Sequence, residues 1–201
     1  KTAVEWMIMA EFLRTQDKKI LLIAPTTGLV EQQQRMAREM ININHELVIR
    51  YTGETPPRKR AELWNSGKII IATSQVIRND VINSIISLDT VSIIIFDEAH
   101  HATGNHAYAQ VGDLYLKTNP TAFTLGATAS PGSTKSAILE VARRLGIDRL
   151  SISKREDPLL QPYSMLLNNE IKHVEIPDQL KALIFPLQEH QANEVESIQR
   201  M

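Results

Sequence analysis

Two adjacent carboxylates stand directly after an apolar run, in the tetrapeptide Asp97-Glu98-Ala99-His100. The preceding segment Ser92–Phe96 is typical of a buried strand, and ligands of an open parallel sheet bind beyond the carboxyl ends of its strands. One carboxylate there can hold Mg²⁺ through its water shell, while the other orients and deprotonates an attacking water. The pattern favours a nucleotide site over the alternative, a solvated acidic pair at a strand end.

The pair Lys1-Thr2 matches the end of the phosphate-binding loop pattern G-x-x-x-x-G-K-[ST]. In that loop the lysine reaches the β and γ phosphates of a nucleotide, and the hydroxyl is a ligand of Mg²⁺. The helical pattern of Ala3–Leu13 is what should follow such a loop. The glycines of the pattern do not precede Lys1 in this numbering, so the pair gains its meaning from the downstream carboxylates. Together these residues predict ATP and Mg²⁺ as cofactors, with Lys1, Thr2 and Asp97 as their ligands and with Thr2 and Asp97 on the metal.

Hydroxyl and imidazole groups lie near the same predicted strand ends. Thr128 and Ser130 follow the fifth apolar run, where hydroxyls can hydrogen-bond a neighbouring histidine or carboxylate and so link two sites. The alternative for these two residues is an ordinary turn. We interpret His100 as a polar connector, and His101 and His106 as surface or nucleic-acid-facing groups. No cysteine and no helical pair of ligands accompanies the histidines, which disfavours zinc.

Three further loops, each at or just beyond the end of a predicted strand, are rich in small and hydroxyl residues. Such loops can present backbone N–H groups and hydroxyls to a sugar-phosphate chain. The alternative is three ordinary strand-to-helix turns with Thr or Ser caps. The candidate nucleic-acid-binding residues are Pro25, Thr26, Thr27 and Gly28 in the first loop, Thr52 and Gly53 in the second, and Thr73, Ser74 and Gln75 in the third.

Short apolar runs alternate with amphipathic segments along the first two thirds of the chain. Continuous β-branched runs indicate strands covered on both faces, and their alternation with helical segments indicates βαβ units and a parallel sheet. We therefore expect an α/β, doubly wound domain over residues 1–150, with helices on both faces of the sheet. The predicted strands are Lys19–Ala24, Leu47–Ile49, Ile69–Ala72, Val91–Phe96 and Ala122–Gly126. Helices are expected over Leu29–Ile41, with Met40 on its apolar face and Gln33 on its polar face, and over Pro57–Trp64.

Residues 151–201 have a different pattern, which we interpret as a linker followed by the beginning of a helical insertion. Lys172–Ile176 is compatible with a strand, and the pattern is helical from Asp178 onward. Pro186 is expected to kink or divide that helix. The apolar residues of this tail lack a complete domain, so we expect it to be partly mobile or to contact another molecule.

Composition constrains the class of protein more than its function. The 201 residues carry a net charge of −1 and contain no cysteine, which excludes disulfides and thiolate catalysis and fits an intracellular protein. No apolar run approaches the roughly 20 residues of a membrane span, and no secretory signal is visible. Because the net charge is near zero, any phosphate backbone must be bound through local groups such as backbone amides and helix N-termini.

The order of the motifs resembles that of the first RecA-like domain of superfamily 2 helicases, from Lys1 to about Ile147. The order is Lys-Thr, Ala-Pro-Thr, Thr-Gly-Glu, Thr-Ser-Gln, Asp-Glu-Ala-His and Thr-Ala-Ser. Within that superfamily the chain is similar to archaeal Hef helicases and Fanconi-anaemia group M translocases. The segments that carry this similarity are Leu29–Gln32, Thr52–Glu54, Arg60–Trp64, Ile93–His100, Gly104–Tyr108 and Gly126–Gly132, and Glu156–Pro158 with Pro162-Tyr163 looks like the lead into that family's helical insertion.

The sequence departs from that family's usual pattern at two places. Thr27-Gly28 stands where the family commonly has Lys-Pro, and Ser74 stands where it commonly has proline. Both positions lie in the loops that are candidates for nucleic-acid contact. The departures therefore concern the backbone contacts and leave the ATP residues untouched.

The resemblance implies an ATP-dependent DNA helicase or translocase that acts on branched DNA, such as stalled forks in DNA repair. Its ATP site would lie between this domain and a second RecA-like domain of the same polypeptide, which supplies an arginine. It would work in the nucleus of a eukaryote, or with the nucleoid in a prokaryotic cytoplasm. The roles implied are phosphate and Mg²⁺ binding for Lys1 and Thr2, Mg²⁺ binding for Asp97, water activation for Glu98, and coupling of hydrolysis to movement for His100, Thr128 and Ser130.

Two alternatives are open at this point. The chain could belong to an ATPase that depends on double-stranded RNA, resembling the RIG-I-like and Dicer helicases. Those proteins usually carry Asp-Glu-Cys-His, so Ala99 favours DNA. The chain could also be a non-catalytic nucleic-acid-binding module that has kept the fold, although the intact Asp97-Glu98 pair argues against this.

Overall fold

The apolar runs of the sequence form one parallel sheet. Its strands are β1 (Lys19–Ala24), β2 (Val48–Tyr51), β3 (Ile69–Thr73), β4 (Val91–Asp97) and β5 (Phe123–Ala127). Their order in space is β2-β3-β1-β4-β5, and each pairing is parallel. The computed structural model describes residues 1–121, 123–132, 134–152, 172 and 174–199. The predicted strands agree with these bounds to within two residues, and Ala122 lies outside the described residues.

Helices cover both faces of the sheet, which confirms the predicted α/β class. Along β1, Ile20 and Leu22 belong to one hydrophobic core, while Leu21 and Ile23 belong to the other. The first core is closed by α1 and α2 and the second by α3 to α6, and all four β1 side chains are fully buried. The helices are α1 (Thr2–Thr15), α2 (Thr27–Met40), α3 (Pro57–Ser66), α4 (Ser74–Ile82), α5 (Ala107–Thr118), α6 (Lys135–Leu145) and α7 (Asp178–Gln199).

Parallel pairing places the carboxyl ends of the strands along one edge of the sheet, the edge where α/β domains bind their ligands. Gly126 brings two of these ends close together. A Cβ atom on Gly126 would lie 3.1 Å from the Cβ atom of Ala99 and 2.7 Å from Cδ1 of Ile147. Because glycine has no Cβ, β5 can lie directly against the turn that follows β4.

The face of α2 that packs on the sheet differs from the prediction. Val30, Gln33 and Ala37 are buried, whereas Met40 is 66% exposed. The assignment of Gln33 to the polar face and of Met40 to the apolar face was therefore wrong. Gln33 tolerates burial because its amide donates a hydrogen bond to a carboxylate at the sheet edge.

The chain divides into two units, residues 1–151 and 152–201. In the second unit, residues 172 and 174–177 have no regular structure, so the strand considered for Lys172–Ile176 is not formed there. One continuous helix, α7, runs through Pro186, so the proline does not divide it. A proline removes one hydrogen bond from a helix, and here the flanking residues keep helical geometry on both sides. None of the helices in the described ranges is long and apolar enough to span a membrane.

Candidate ATP site and nucleic-acid interface

The end of β4 fixes the two carboxylates in different environments. Asp97 is the last residue of the strand and is only 6% exposed. The hydroxyl of Tyr108 in α5 donates to its carbonyl at 2.9 Å, and its own Oδ1 accepts from the backbone N–H of Glu98 at the same distance. Glu98 follows in the left-handed conformation, with φ of 53°. Such a conformation costs free energy in a non-glycine residue and marks a turn that the surrounding structure holds in place.

Lys1 lies between the two carboxylates. Its Nζ atom is 3.2 Å from Oδ1 of Asp97 and forms a second ion pair with Oε1 of Glu98. Burial acts to lower the pKa of the Lys1 ammonium, but its hydrogen bonds to Glu98 and Asp97 outweigh that effect and raise it. The same hydrogen bond from Lys1 lowers the pKa of Glu98. A cation and two ionised carboxylates therefore converge at the junction of β4 and α1.

The predicted connector joins the carboxylate to the end of β5. Nδ1 of His100 is 2.8 Å from the hydroxyl of Thr128 and 3.3 Å from Oε2 of Glu98. The Thr128 hydroxyl also lies 3.4 Å from Oε2 of Glu98 and accepts from the backbone N–H of Ser130 at 3.0 Å. The structure thus brings Glu98, His100 and Thr128 together, while Ser130 joins the cluster through its backbone.

Two polar residues behind Asp97 were missed by the sequence reasoning. Nε2 of Gln33 in α2 is 3.4 Å from Oδ2 of Asp97. Glu5 in α1 is fully buried, and burial, followed by the negative charge of Asp97, raises its pKa to about 7. Both Glu5 carboxylate oxygens and Oε1 of Gln33 lack a hydrogen-bond partner among the described residues. The signal in the sequence is an acidic residue one position before the buried Trp6 and four before the buried Met9.

The groups around Asp97 fit a magnesium nucleotide. Mg²⁺ binds through one or two carboxylates together with water and substrate phosphates. Asp97 supplies the carboxylate, Thr2 at the start of α1 supplies a hydroxyl, and Lys1 supplies the cation for phosphate. Buried oxygens without a donor are costly, and metal-bound waters are donors that can reach them. The unpartnered oxygens of Glu5 and Gln33 are consistent with such a shell.

The nine candidate nucleic-acid residues lie beyond the ends of β1, β2 and β3, on the same sheet edge as the ATP residues. These three strands are contiguous in the sheet, and the ATP residues follow its other two strands, β4 and β5, and begin α1. Burial narrows the set, because the side chains of Thr52, Thr73 and Ser74 are enclosed in the protein. The members that face outward or partly outward are Pro25, Thr26, Thr27, Gly28, Gly53 and Gln75.

The first of these loops is built as a helix start. Thr26 is the N-cap of α2, and its hydroxyl accepts from the backbone N–H of Leu29 at 3.3 Å. The free N–H groups of such a helix end point outward and favour negative charge. The first loop therefore offers the local phosphate-binding groups that the near-zero net charge requires.

The remaining histidines form a stack beside the site. The rings of His101 and His106 are 5.3 Å apart and nearly parallel, and the ring of His100 is 4.3 Å from that of His101. Burial lowers the pKa of His101, and the neighbouring His100 and His106 lower it further. Nδ1 of His106 accepts from the backbone N–H of Tyr108, so His106 caps α5. In the part of the chain that the structure describes, no group of three or more acidic or histidine side chains is arranged to hold a metal ion.

Comparison with known proteins identifies the same domain. The chain is 38% identical to the Pyrococcus furiosus Hef helicase domain, whose crystal structure superposes with a TM-score of 0.79 over 89% of this chain and 37% of that one. It is 39% identical over 90% of its length to a Methanocaldococcus jannaschii protein provisionally named an ATP-dependent RNA helicase. It is 34% identical over 81% of its length to the DEAD-box ATP-dependent DNA helicase Fancm of Drosophila melanogaster.

The chain spans 23% of the Methanocaldococcus protein and 11% of the Drosophila protein. The comparisons therefore describe one domain of much longer relatives. The DEAD/DEAH box helicase family matches residues 1–138, more than half of the chain. The five-stranded parallel sheet and the Asp97-Glu98-Ala99-His100 turn agree with that match. The chain thus belongs to the DEAD/DEAH box helicase family and carries its RecA-like ATP-binding domain.

Proposed function

We propose that the chain is the first motor domain of an ATP-dependent DNA translocase that acts on branched or forked DNA. The observation that carries the proposal is the convergence of Lys1, Asp97 and Glu98 at the end of β4, with His100 and Thr128 attached. The exposed loops after β1, β2 and β3 lie on the same sheet edge. A second RecA-like domain, with its arginine, completes the site.

Each residue has one task in this scheme. Lys1 holds the phosphates, exchanging its carboxylate partners for phosphate oxygens, and Thr2 and Asp97 are the ligands of Mg²⁺. Bound Mg²⁺ neutralises phosphate charge. Glu98, whose pKa is lowered by its hydrogen bond with Lys1, is ionised at neutral pH and orients the attacking water. His100 and Thr128 connect Glu98 to the end of β5, so a change at the carboxylate is transmitted to that strand end.

The test of the hydrolytic role is Glu98→Gln in the natural protein that carries this chain. Glutamine keeps the shape of the side chain but cannot accept a proton. We expect ATP turnover to fall about 10²–10⁴-fold, the usual contribution of a general base, while binding of a non-hydrolysable ATP analogue persists. Glu62→Gln, an exposed change in α3, is the matched control. Normal turnover by Glu98→Gln would refute the assignment, and absence of turnover in the parent protein would favour a non-catalytic module.

The choice of nucleic acid has a separate test. Proteins named as DNA helicases and a protein provisionally named an RNA helicase are both similar to this chain. Ala99 within the Asp-Glu-Ala-His turn is our reason to choose DNA. We expect fork DNA to stimulate ATPase activity more strongly than linear duplex DNA or duplex RNA at equal nucleotide concentration and salt. Stronger stimulation by duplex RNA would replace the proposed substrate with double-stranded RNA.

A further inference from the structure

A buried ion pair joins α3 to α4 beneath two of the candidate nucleic-acid loops. Arg60 donates from Nε to Oδ2 of Asp80 at 2.6 Å and from Nη2 to Oδ1 at 2.7 Å. The hydroxyl of Tyr51, at the end of β2, donates to the same Oδ2 at 2.6 Å. Arg60 is 9% exposed and Asp80 is 1% exposed. The Asp80 carboxylate thus receives three hydrogen bonds in an enclosed position.

The remaining donor of Arg60 reaches the second loop. Its Nη1 donates to the carbonyl of Thr55 at 2.5 Å, and the N–H of Thr55 donates to the carbonyl of Thr52 at 3.2 Å, which closes a turn over residues 52–55. A Cβ atom on Gly53 would lie 3.6 Å from Cγ2 of Val76, so the turn rests on the start of α4. Asp80 belongs to the same helix, and one network therefore holds the turn against α4.

Stability alone does not account for an ion pair in this position. Apolar residues of similar volume often replace a buried pair without loss of stability. An apolar side chain cannot, however, hold the Thr55 carbonyl, and a lysine cannot serve Asp80 and that carbonyl with one fixed fork. The planar guanidinium of Arg60 fixes three partners at once. Its geometric effect falls on the turn that carries Gly53.

We propose that Arg60, Asp80 and Tyr51 are positioning residues that set the exposed Gly53 and Gln75 as one surface for the phosphate backbone of DNA. Gly53 is in the turn held by Arg60, and Gln75 is in the first turn of α4, the helix that carries Asp80. The inference rests on the proposed function, because it assumes that these loops meet DNA. None of the three side chains touches DNA or ATP in this scheme.

The first test is Arg60→Lys in the natural protein that carries this chain. Lysine preserves the charge opposite Asp80 but loses the bidentate fork and the bond to Thr55. We expect the dissociation constant for fork DNA to rise about 5- to 10-fold, as for one or two lost hydrogen bonds. The dissociation constant for a non-hydrolysable ATP analogue should stay within about twofold of the parent value, because the site after β4 is untouched.

A matched control exists on the other side of the sheet. Arg144 in α6 binds Asp113 of α5 with bonds of 3.0 and 2.7 Å and donates to the carbonyl of Gly104 at 3.0 Å. Arg144→Lys therefore makes the same chemical change at a pair that also holds a loop carbonyl, far along the sheet from β2. We expect it to leave DNA affinity unchanged.

A triple apolar variant separates positioning from stability and from direct contact. Tyr51→Phe, Arg60→Met and Asp80→Leu together remove every polar group of the network while keeping its volume, so the variant should keep a melting temperature close to the parent value. We expect its DNA affinity to fall as in Arg60→Lys. The slope of log affinity against log salt should be unchanged, since the lost contacts are neutral hydrogen bonds that release no counterions.

Each outcome decides the matter. Parental DNA affinity in both Arg60→Lys and the triple variant would overturn the inference, as would an equal loss in Arg144→Lys or a parallel loss of nucleotide affinity. A salt slope reduced by about one would show that Arg60 contacts phosphate directly, which also overturns it. If Arg60→Lys does not fold, the triple variant alone decides. Absence of fork-DNA binding by the parent protein would overturn the proposed function itself.

Discussion

At the scale of single residues, the buried Glu5 is the group whose ionisation folding changes most clearly. Burial, and then the negative charge of Asp97, raises its pKa from 4.5 to about 7. Between those values the folded chain keeps a proton that the unfolded chain has released. A folded-state pKa above the unfolded one gives stability that is complete below the unfolded pKa and is lost as pH rises through the folded pKa. We expect the free energy of unfolding to fall by about 3 kcal/mol at most over this range.

The measurement is thermal unfolding of the 201-residue chain across this pH range in a buffer free of metal ions. Glu5→Gln removes the titrating carboxyl, so its pH dependence should flatten, and its stability above pH 7 should equal or exceed that of the parent. Glu39→Gln, an exposed change in α2, should keep the parental slope. Retention of that slope in Glu5→Gln would show that other groups cause it.

Residue types announced the chemistry of this site but not all of its neighbours. Asp97, Glu98 and Lys1 were found because their types and order are informative without coordinates. Glu5 and Gln33 were not found, because a polar residue in an amphipathic helix is normally solvated and only packing shows that it is buried. Their burial depends on which face α1 and α2 turn to the sheet. Sequence periodicity gave that face of α2 incorrectly at Gln33.

At the scale of elements, α2 joins the first candidate loop to the ATP site. Its N-cap Thr26 belongs to the outward-facing loop, and Gln33, two turns later, donates to Asp97. A helix is a stiff unit, so displacement of the loop moves the Gln33 amide relative to the carboxylate. This contact gives nucleic acid a physical route to the Mg²⁺ ligand.

Gln33→Met should separate this contact from helix stability. Methionine keeps the length of the side chain and removes a buried amide whose Oε1 has no partner among the described residues, so stability should change little. We expect the Mg²⁺ concentration needed for binding of an ATP analogue to the natural protein to rise about 10-fold, the lower end of what loss of a ligand's orienting partner costs. Gln32→Met, at the exposed neighbouring position, is the control. Equal Mg²⁺ dependence in the two variants would contradict a role for Gln33.

The elements themselves were largely predictable, and the exceptions have physical reasons. The strands were visible because β-branched runs such as Ile69–Ala72 are buried on both faces. The order β2-β3-β1-β4-β5 was not predicted, because neighbouring strands are far apart in sequence and their pairing depends on the whole sheet. Lys172–Ile176 was an error of the opposite kind. A short alternating pattern forms a strand only where a sheet edge accepts it.

At the scale of the whole molecule, the chain holds one wall of an ATP site and a nucleic-acid surface on the same sheet edge. The candidate contacts follow β1, β2 and β3, and the catalytic groups follow β4 and β5. This arrangement lets one domain respond to both ligands. It does not supply the arginine that stabilises the transferred phosphoryl group in related enzymes. The proposed function therefore assigns the 201-residue chain a share of the activity rather than all of it.

The 201-residue chain by itself should hydrolyse ATP poorly, even with saturating fork DNA. An arginine supplied across the site is worth about 10³–10⁵ in rate in related phosphoryl transfer, and we expect a deficit of that order relative to the natural protein. Phosphate release at matched enzyme concentrations measures it, with Glu98→Gln of the same chain as the background control. Turnover by the chain alone within about tenfold of the natural protein would contradict the prediction. Such a result would mean that Lys1, Glu98 and their neighbours complete the site without a second domain.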